Sequence, residues 1–400
     1  MRIGTSLLLV SLLLWPHGAG AKPATLLFEP QSGRILQAED HQAARYPASL
    51  TKIMTAYLVL EAIENGRLQR SDPLSISAAA AAQPPVKLGL RKGRAITVEQ
   101  ALAAMVLTSA NDAAVVLAEA VAGDERSFAE RMSDKARALG MRGTRFFNAT
   151  GLPQRSQITT ARDMGLLAAA LIRDFPEAFP LFSQTGFSYR KRHFGTTNGW
   201  LSQYPGADGI KTGFTCAAGY NLVASAAREG RRLVAVVLGA PSRNARGERA
   251  RTLMDQGFDR LSAAAPPSGE TLSEGVRVVP AGAPPHVLPA GECVETGENG
   301  SAVIEAAPYP GWGIIFGWYP SRSAALEVIE KNRSRLGPLA EDARAAVVAK
   351  ARAGVLRYSA LLVALAEAES LSACQRLRDD GEYCLRLRPE VLNNEGAKWR

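Results

Sequence analysis

Apolar residues recur at helical spacing through Leu50, Ile53, Met54 and Tyr57, and the spacing predicts a helix opening near Pro47. Pro47 suits a first turn, because the N–H it lacks would have no partner there. Ahead of it, residues 25–29 and 34–39 read as short strands joined by Gln31-Ser32-Gly33, a hairpin. The Ala-rich stretch 78–85 breaks at Gln83-Pro84-Pro85 and is expected to be a loop. Residues 98–107 and 112–121 are apolar helical runs, with Ser109-Ala110-Asn111 in the break between them. Residues 148–153 are turn-rich, and 162–173 predict an amphipathic helix. Residues 209–213, 219–227 and 232–238 then read as strands, the last two joined through Glu229-Gly230. Strands at both ends with helices between them predict an α/β unit, one sheet flanked by helices.

From Ala263 the pattern changes. Prolines at 266, 267, 280, 284, 285, 289, 308 and 310 mark a Pro/Gly-rich linker over 263–308. A second compact unit follows over 309–388. Its predicted order is strand 311–319, helix 323–336, strands 345–351 and 356–365, helix 367–378 and strand 382–387. That βαββαβ order is an internal duplication of a split β-α-β unit, the ferredoxin-like arrangement.

Composition adds the compartment. Arg2 precedes an apolar run over 6–15, and Ala19-Gly20-Ala21 offers a cleavage site before Lys22. The run is too short to span a bilayer. Residues 1–21 are therefore expected to be an export signal, and the mature chain a periplasmic protein with no transmembrane segment. The tail after Pro389 is short and polar, unlike a membrane anchor. The net charge of +9 and pI near 9.5 favour anionic surroundings such as cell-wall polymer. No nucleic-acid partner is expected, because the cations are scattered rather than gathered with aromatics into a stripe. Export permits disulfides, and Cys374 and Cys384 flank a segment that a bridge could staple. Cys216 and Cys293 either pair or stay as free thiols. The histidines at 17, 41, 193 and 286 never pair at ligand spacing, so no metal is expected. No glycine-rich phosphate loop follows a strand, and no cofactor is expected.

The chemistry centres on Ser49 and Lys52, three apart and so on one helix face. A hydroxyl beside an amine at a helix N-terminus suits a serine nucleophile activated by a lysine, with free N–H groups facing a developing oxyanion. The same spacing in Ser188-Tyr189-Arg190-Lys191 reads as a basic, solvated stretch. Ser49 stands apart because Ser109-Ala110-Asn111 follows 60 residues later and Lys211-Thr212-Gly213 follows after 162. That ordered trio characterises penicillin-binding proteins and class A β-lactamases.

With these motifs, and with Phe147-Asn148-Ala149-Thr150-Gly151-Leu152, Ala161-Arg162-Asp163-Met164 and Gly219-Tyr220-Asn221-Leu222, the chain resembles serine-type D-alanyl-D-alanine carboxypeptidases. These are low-molecular-mass penicillin-binding proteins. The resemblance runs over roughly 24–262 and implies a β-lactamase/transpeptidase-like catalytic domain at 22–262. It implies peptidoglycan stem pentapeptides as substrates and β-lactam antibiotics as inhibitors. Ser49 would attack the carbonyl between two D-alanines, with Lys52 as base. Ser109 would relay a proton to the leaving D-alanine, and Asn111 would hold the substrate amide and orient Lys52. Lys211 and Thr212 would address the terminal carboxylate, with Arg246 as a further anchor; an exposed basic turn is the other reading of Arg246. Gly213 would lie on an edge strand open to an extended peptide. The N–H groups of Ser49 and Phe214 would form the oxyanion hole. Ser109 and Asn111 are also good helix caps, which is compatible with those roles. Lys52 serves as a base only if neutral, and lowering a lysine by three units corresponds to about 4 kcal/mol.

The C-terminal unit resembles a SPOR domain, a peptidoglycan-binding module of bacterial envelope proteins that takes glycan strands stripped of stem peptides. Trp312-Gly313-Ile314-Ile315-Phe316-Gly317-Trp318-Tyr319 matches its opening strand, and the helix with Cys374 its closing half. Ile315 and Leu361 stand where such domains carry polar residues on an exposed sheet face, so a protein partner or structural packing competes with glycan binding. Three other activities share the motifs or the compartment: a β-lactamase, a D,D-endopeptidase or transpeptidase, and a non-catalytic peptidoglycan-binding protein. No Glu-x-x-Leu-Asn element lies between Asn111 and Lys211, which disfavours a class A lactamase.

Overall fold

The computed structural model describes residues 22–84, 86–215, 217–262, 270–275, 278, 279, 285, 295, 296, 302, 303, 311–319, 322–352, 355–380 and 382–392. The expected export signal, Cys216 and Cys293 lie outside the described residues.

In chain order the first unit comprises β1 (Ala24–Phe28), β2 (Ile35–Glu39), α1 (Thr51–Glu64), α2 (Val98–Leu107), α3 (Asn111–Ala122), α4 (Glu125–Ala138), α5 (Ala161–Asp174), β3 (Ala207–Thr215), β4 (Gly219–Arg228), β5 (Arg231–Ala240) and α6 (Arg243–Ser262). Its antiparallel sheet has the order β2-β1-β5-β4-β3, which puts β3 at an edge. Side chains alternate across a strand, and here both faces are covered. Leu26, Phe28, Val234, Val236 and Leu238 join the core built with α1 to α5. Leu27, Leu233, Ala235 and Val237 face the other way, onto Ala250, Leu253, Met254 and Phe258 of α6. Nearly every residue of α2 and of the first two turns of α3 is buried, the signature of helices apolar all round.

The structure departs from the sequence reading in several places, among them α6, which was not read as a helix. The stretch read as a loop at 78–85 begins with a helical turn, Ala78–Ala81, because Ser77 Oγ caps it by accepting the N–H of Ala80. Helix α4 was not visible in the pattern: its charged residues mask a stripe of Phe128, Ala129, Met132 and Ala136, and Asp124 caps its start. The segment read as linker is not all linker. Ile35 N donates to Glu270 O at 2.8 Å, Leu272 N donates to Gly33 O at 2.8 Å, and Leu272 is buried in the main core. A single leucine among prolines and glycines carries no period, so sequence pattern could not find it. The basic stretch around Arg190 and Lys191 is the exposed turn of a hairpin between Gly186–Tyr189 and Arg192–Gly195.

The second unit comprises β6 (Trp312–Tyr319), α7 (Arg322–Leu336), β7 (Arg344–Arg352), β8 (Val355–Leu365), α8 (Glu367–Asp379) and β9 (Leu385–Leu387), with sheet order β7-β8-β6-β9. Ile314 and Phe316 face Ala325, Ile329, Ala373 and Leu377 of the two helices. Ile315 and Leu361, expected on an exposed face, are 4% and 2% exposed. They cluster with Ala346, Val363 and Leu387, and Leu392 packs against them. This apolar pair is covered by the chain itself rather than presented to solvent.

Cys374 and Cys384 form the expected disulfide, with Cα atoms 5.3 Å apart, pinning α8 to the approach to β9. Closing so short a loop stabilises by about 2–3 kcal/mol on chain entropy. A Cys374→Ser/Cys384→Ser double variant is therefore expected to lower the thermal transition of this unit and leave that of the first unit in place, a difference that calorimetry of variant and parent reads directly.

Candidate active site

Ser49 lies in a single 3₁₀ turn, Ala48–Leu50, that leads into α1. Lys52 follows in the first turn of α1, and three groups surround its amine. It lies 3.1 Å from Ser49 Oγ, 2.8 Å from Asn111 Oδ1 and 2.6 Å from the carbonyl of Thr150. The orientation of the Asn111 amide follows from its other end, where Nδ2 donates to Pro84 O at 3.0 Å. Asn111 Oδ1 and Thr150 O are acceptors only. A neutral amine has two N–H groups and one lone pair. Two acceptors take both N–H groups, which leaves the lone pair for the hydroxyl of Ser49.

The electrostatics favour that neutral state. Lys52 is 1% exposed. Burial, and then the Lys211 cation, hold its amine well below the ordinary lysine range, against the weaker pull of Asp112 and Glu125. Both carboxylates are otherwise engaged. Asp112 accepts the N–H groups of Leu88, Gly89 and Leu90, each at 2.9 Å, and Glu125 accepts that of Ala149 at 3.0 Å. Asp112 thereby fastens the segment whose Val86 carbonyl accepts Asn111 N, one wall beside the amine. Sequence reasoning missed Asp112 and Thr150. A carboxylate directly after Asn111 was a signal for the first; a backbone carbonyl leaves none.

Ser109 has φ +65, and its buried Oγ has no hydrogen-bond partner. The cap of α3 is Ala110, without a side-chain bond, so neither Ser109 nor Asn111 serves as the cap. Both side chains are left to the site.

Lys211, Thr212, Gly213 and Phe214 all lie on the edge strand β3, as expected. Gly213 packs against the turn of Ser49 so closely that a Cβ there would lie 3.1 Å from Ser49 N, Leu50 N and Pro47 O. The ring of Phe214 rests 4.3 Å from that of Tyr220. Lys211 is 2% exposed and donates to Thr212 O at 3.1 Å. Arg246 is not in an exposed turn: it is buried in the first turn of α6. Burial, and then Arg246, bring the Lys211 amine down to about 7; burial and Arg243 bring Arg246 down to about 10. Among the described residues no carboxylate pairs with Lys211 or Arg246. Buried cations without a counter-charge are costly, and they make a receptor for an incoming anion. No group of three or more His, Cys, Asp or Glu that could hold a metal occurs among the described residues.

A pH dependence follows. Below about pH 7 Lys211 is charged, and above it the charge is lost. The apparent affinity of the free chain for a carboxylate ligand is therefore expected to fall as pH rises through 7. A bound carboxylate raises the Lys211 amine, so the limb read in the complex lies at higher pH. Competition by a carboxylate-bearing β-lactam at pH 6 and pH 9 checks the sign.

Comparison with known proteins follows the same lines. The sequence model of the family described as D-alanyl-D-alanine carboxypeptidase matches residues 19–242. A D-alanyl-D-alanine carboxypeptidase of Bacillus subtilis is 35% identical over 246 residues, covering 60% of this chain and 62% of its own length. The chain thus spans less than two thirds of that relative. Penicillin-binding protein 5 of Haemophilus influenzae superposes with a TM-score of 0.57 at 34% identity, over 60% of this chain and 71% of that one. Penicillin-binding protein D2 of Listeria monocytogenes, solved in an ampicillin-bound form, gives 0.55 at 33% identity, over 59% and 97%. By a family match that spans more than half its length, on the same sheet, helices and motif order described above, this chain belongs to the D-alanyl-D-alanine carboxypeptidase family.

Proposed function

We propose that the protein is a serine-type D-alanyl-D-alanine carboxypeptidase, exported to the periplasm, that trims the terminal D-alanine from peptidoglycan stem pentapeptides and is acylated by β-lactams. The observation that carries the proposal is the Lys52 amine, buried beside Ser49 with its N–H groups occupied by Asn111 Oδ1 and Thr150 O.

On this reading Lys211, Thr212 and Arg246 take the terminal carboxylate, and the peptide lies along the β3 edge past Gly213. The Ser49 hydroxyl gives its proton to Lys52 as Oγ attacks the carbonyl. The N–H groups of Ser49 and Phe214 receive the oxyanion. The proton passes through Ser109 to the departing D-alanine amine, leaving a Ser49 ester that water hydrolyses. Among the described residues no carboxylate bonds to Ser49 or Lys52, so a penicilloyl ester has no dedicated base for its deacylating water. That favours stable labelling over β-lactamase turnover.

We also propose that the second unit is a ferredoxin-like, SPOR-type module that binds glycan strands. Its exposed aromatics, Trp318 and Tyr383, are suited to stacking on sugar rings, whereas Ile315 and Leu361 are covered. Pull-down with glycan free of stem peptides tests it, and no retention leaves a structural role.

The enzyme reading is tested by incubating the mature protein and Ser49→Ala with fluorescent penicillin and with a pentapeptide ending in D-Ala-D-Ala. Stable label and released D-alanine, both absent in the variant, are expected. Rapid loss of label would mean a lactamase, and no label at all a non-catalytic wall protein.

A further inference from the structure

Asn221 is fully buried, on β4, directly opposite Gly213 of the edge strand. Every polar group of its side chain is occupied, and the partners are unusual. Nδ2 donates to the carbonyls of both Tyr46 and Pro47, at 2.9 and 3.1 Å. Oδ1 accepts the N–H of Gly239 on β5 at 2.8 Å. Its own carbonyl accepts from Arg246 at 3.4 Å. One amide therefore joins the two residues before Ala48-Ser49 to the middle of the sheet and to the buried arginine.

The turn it grips is otherwise supported on that side by backbone contact with the edge strand. The turn has no capping side chain, and Gly213 offers it only a bare backbone to rest on. Pro47 O is shared: it accepts Leu50 N at 3.2 Å within the turn and lies against Gly213 as well. The separation between Ser49 N–H, on the turn, and Phe214 N–H, on the strand, is thus governed by how the turn is seated. The glycine permits close approach, and the asparagine supplies the pull.

We infer that Asn221 is a positioning residue for the proposed acyl transfer, seating the Tyr46–Pro47 backbone on the sheet so that the N–H groups of Ser49 and Phe214 converge on one oxyanion. The inference rests on the enzyme reading above and adds to it a residue that never touches substrate. Misplacement of reacting groups by about 1 Å costs on the order of 100-fold in rate, as does loss of one oxyanion donor.

The experiment compares the acylation rate constant and the apparent binding constant for fluorescent penicillin in the full chain, Asn221→Ala and Leu222→Ala. Leu222 is equally buried on the same strand but faces α6, away from the turn. Its truncation controls for lost stability, and thermal melts of both variants set the temperature at which both stay folded. Asn221→Ala is expected to lose about 100-fold in acylation rate constant with binding changed by less than about threefold, while Leu222→Ala keeps the wild-type rate. Equal rates for Asn221→Ala and the parent overturn the inference alone. So does a loss in Leu222→Ala as large as that in Asn221→Ala, which would make the effect one of stability. A parent chain that takes no label overturns the enzyme reading, and the inference with it.

Discussion

Replacing Lys52 by arginine is expected to leave Ser49 in place and yet slow its acylation by about 10³-fold or more, the scale of a lost general base. Arginine puts a fixed positive charge near the hydroxyl, because it stays protonated at every accessible pH. If Lys52 acted only as a cation, the variant would retain much of its rate. If it acts as a neutral base, the state that its burial and the Lys211 cation favour, arginine has no lone pair to take the Ser49 proton. Burst labelling by fluorescent penicillin, with Ser49→Ala as the zero, separates the two.

The second large effect is expected at Gly151. Its φ is +85°, and a Cβ there would lie 1.9 Å from the carbonyl oxygen of Ala48 and 2.9 Å from Ser49 N. Alanine at 151 must displace either the turn of Ser49 or the loop whose Thr150 carbonyl holds Lys52. Both are backbone, so neither yields cheaply. Gly151→Ala should destabilise by about 3–5 kcal/mol, in the exceptional range for single substitutions, and lose acylation with it. Gly33, with φ +72° and open space around its Cα, is the matched control. There alanine should cost only about 1 kcal/mol, the backbone term alone. Urea midpoints for the two variants read the difference.

What the sequence made legible was side-chain chemistry at repeated spacing. Ser49, Lys52, Ser109, Asn111 and Lys211 could be assembled from three short motifs in order, and the structure brings Ser49, Lys52 and Asn111 within hydrogen-bond reach. The five strands of the main sheet and four of its helices followed from period alone. What pattern could not carry was backbone and long-range contact. Thr150 enters the site through its carbonyl, Asp112 by gathering three distant N–H groups, and Asn221 by holding a turn some 175 residues away. Arg246 could be placed in register but not in environment. Its burial comes from α6 folding back on the sheet, which nothing local announces. Leu272 and Ile315 make the same point from the apolar side. Each reads as linker or exposed face until the neighbour that covers it is in place.

The charge state of the Lys52 amine decides between this account and any other. Its titration, followed by NMR on protein carrying lysine labelled at Cε and Nζ and assigned with a Lys52→Arg variant, measures that state without turnover. A Lys52 signal that turns neutral well below the surface lysines is the predicted result. A signal that titrates with the surface lysines near pH 10.4 would contradict the account at its root.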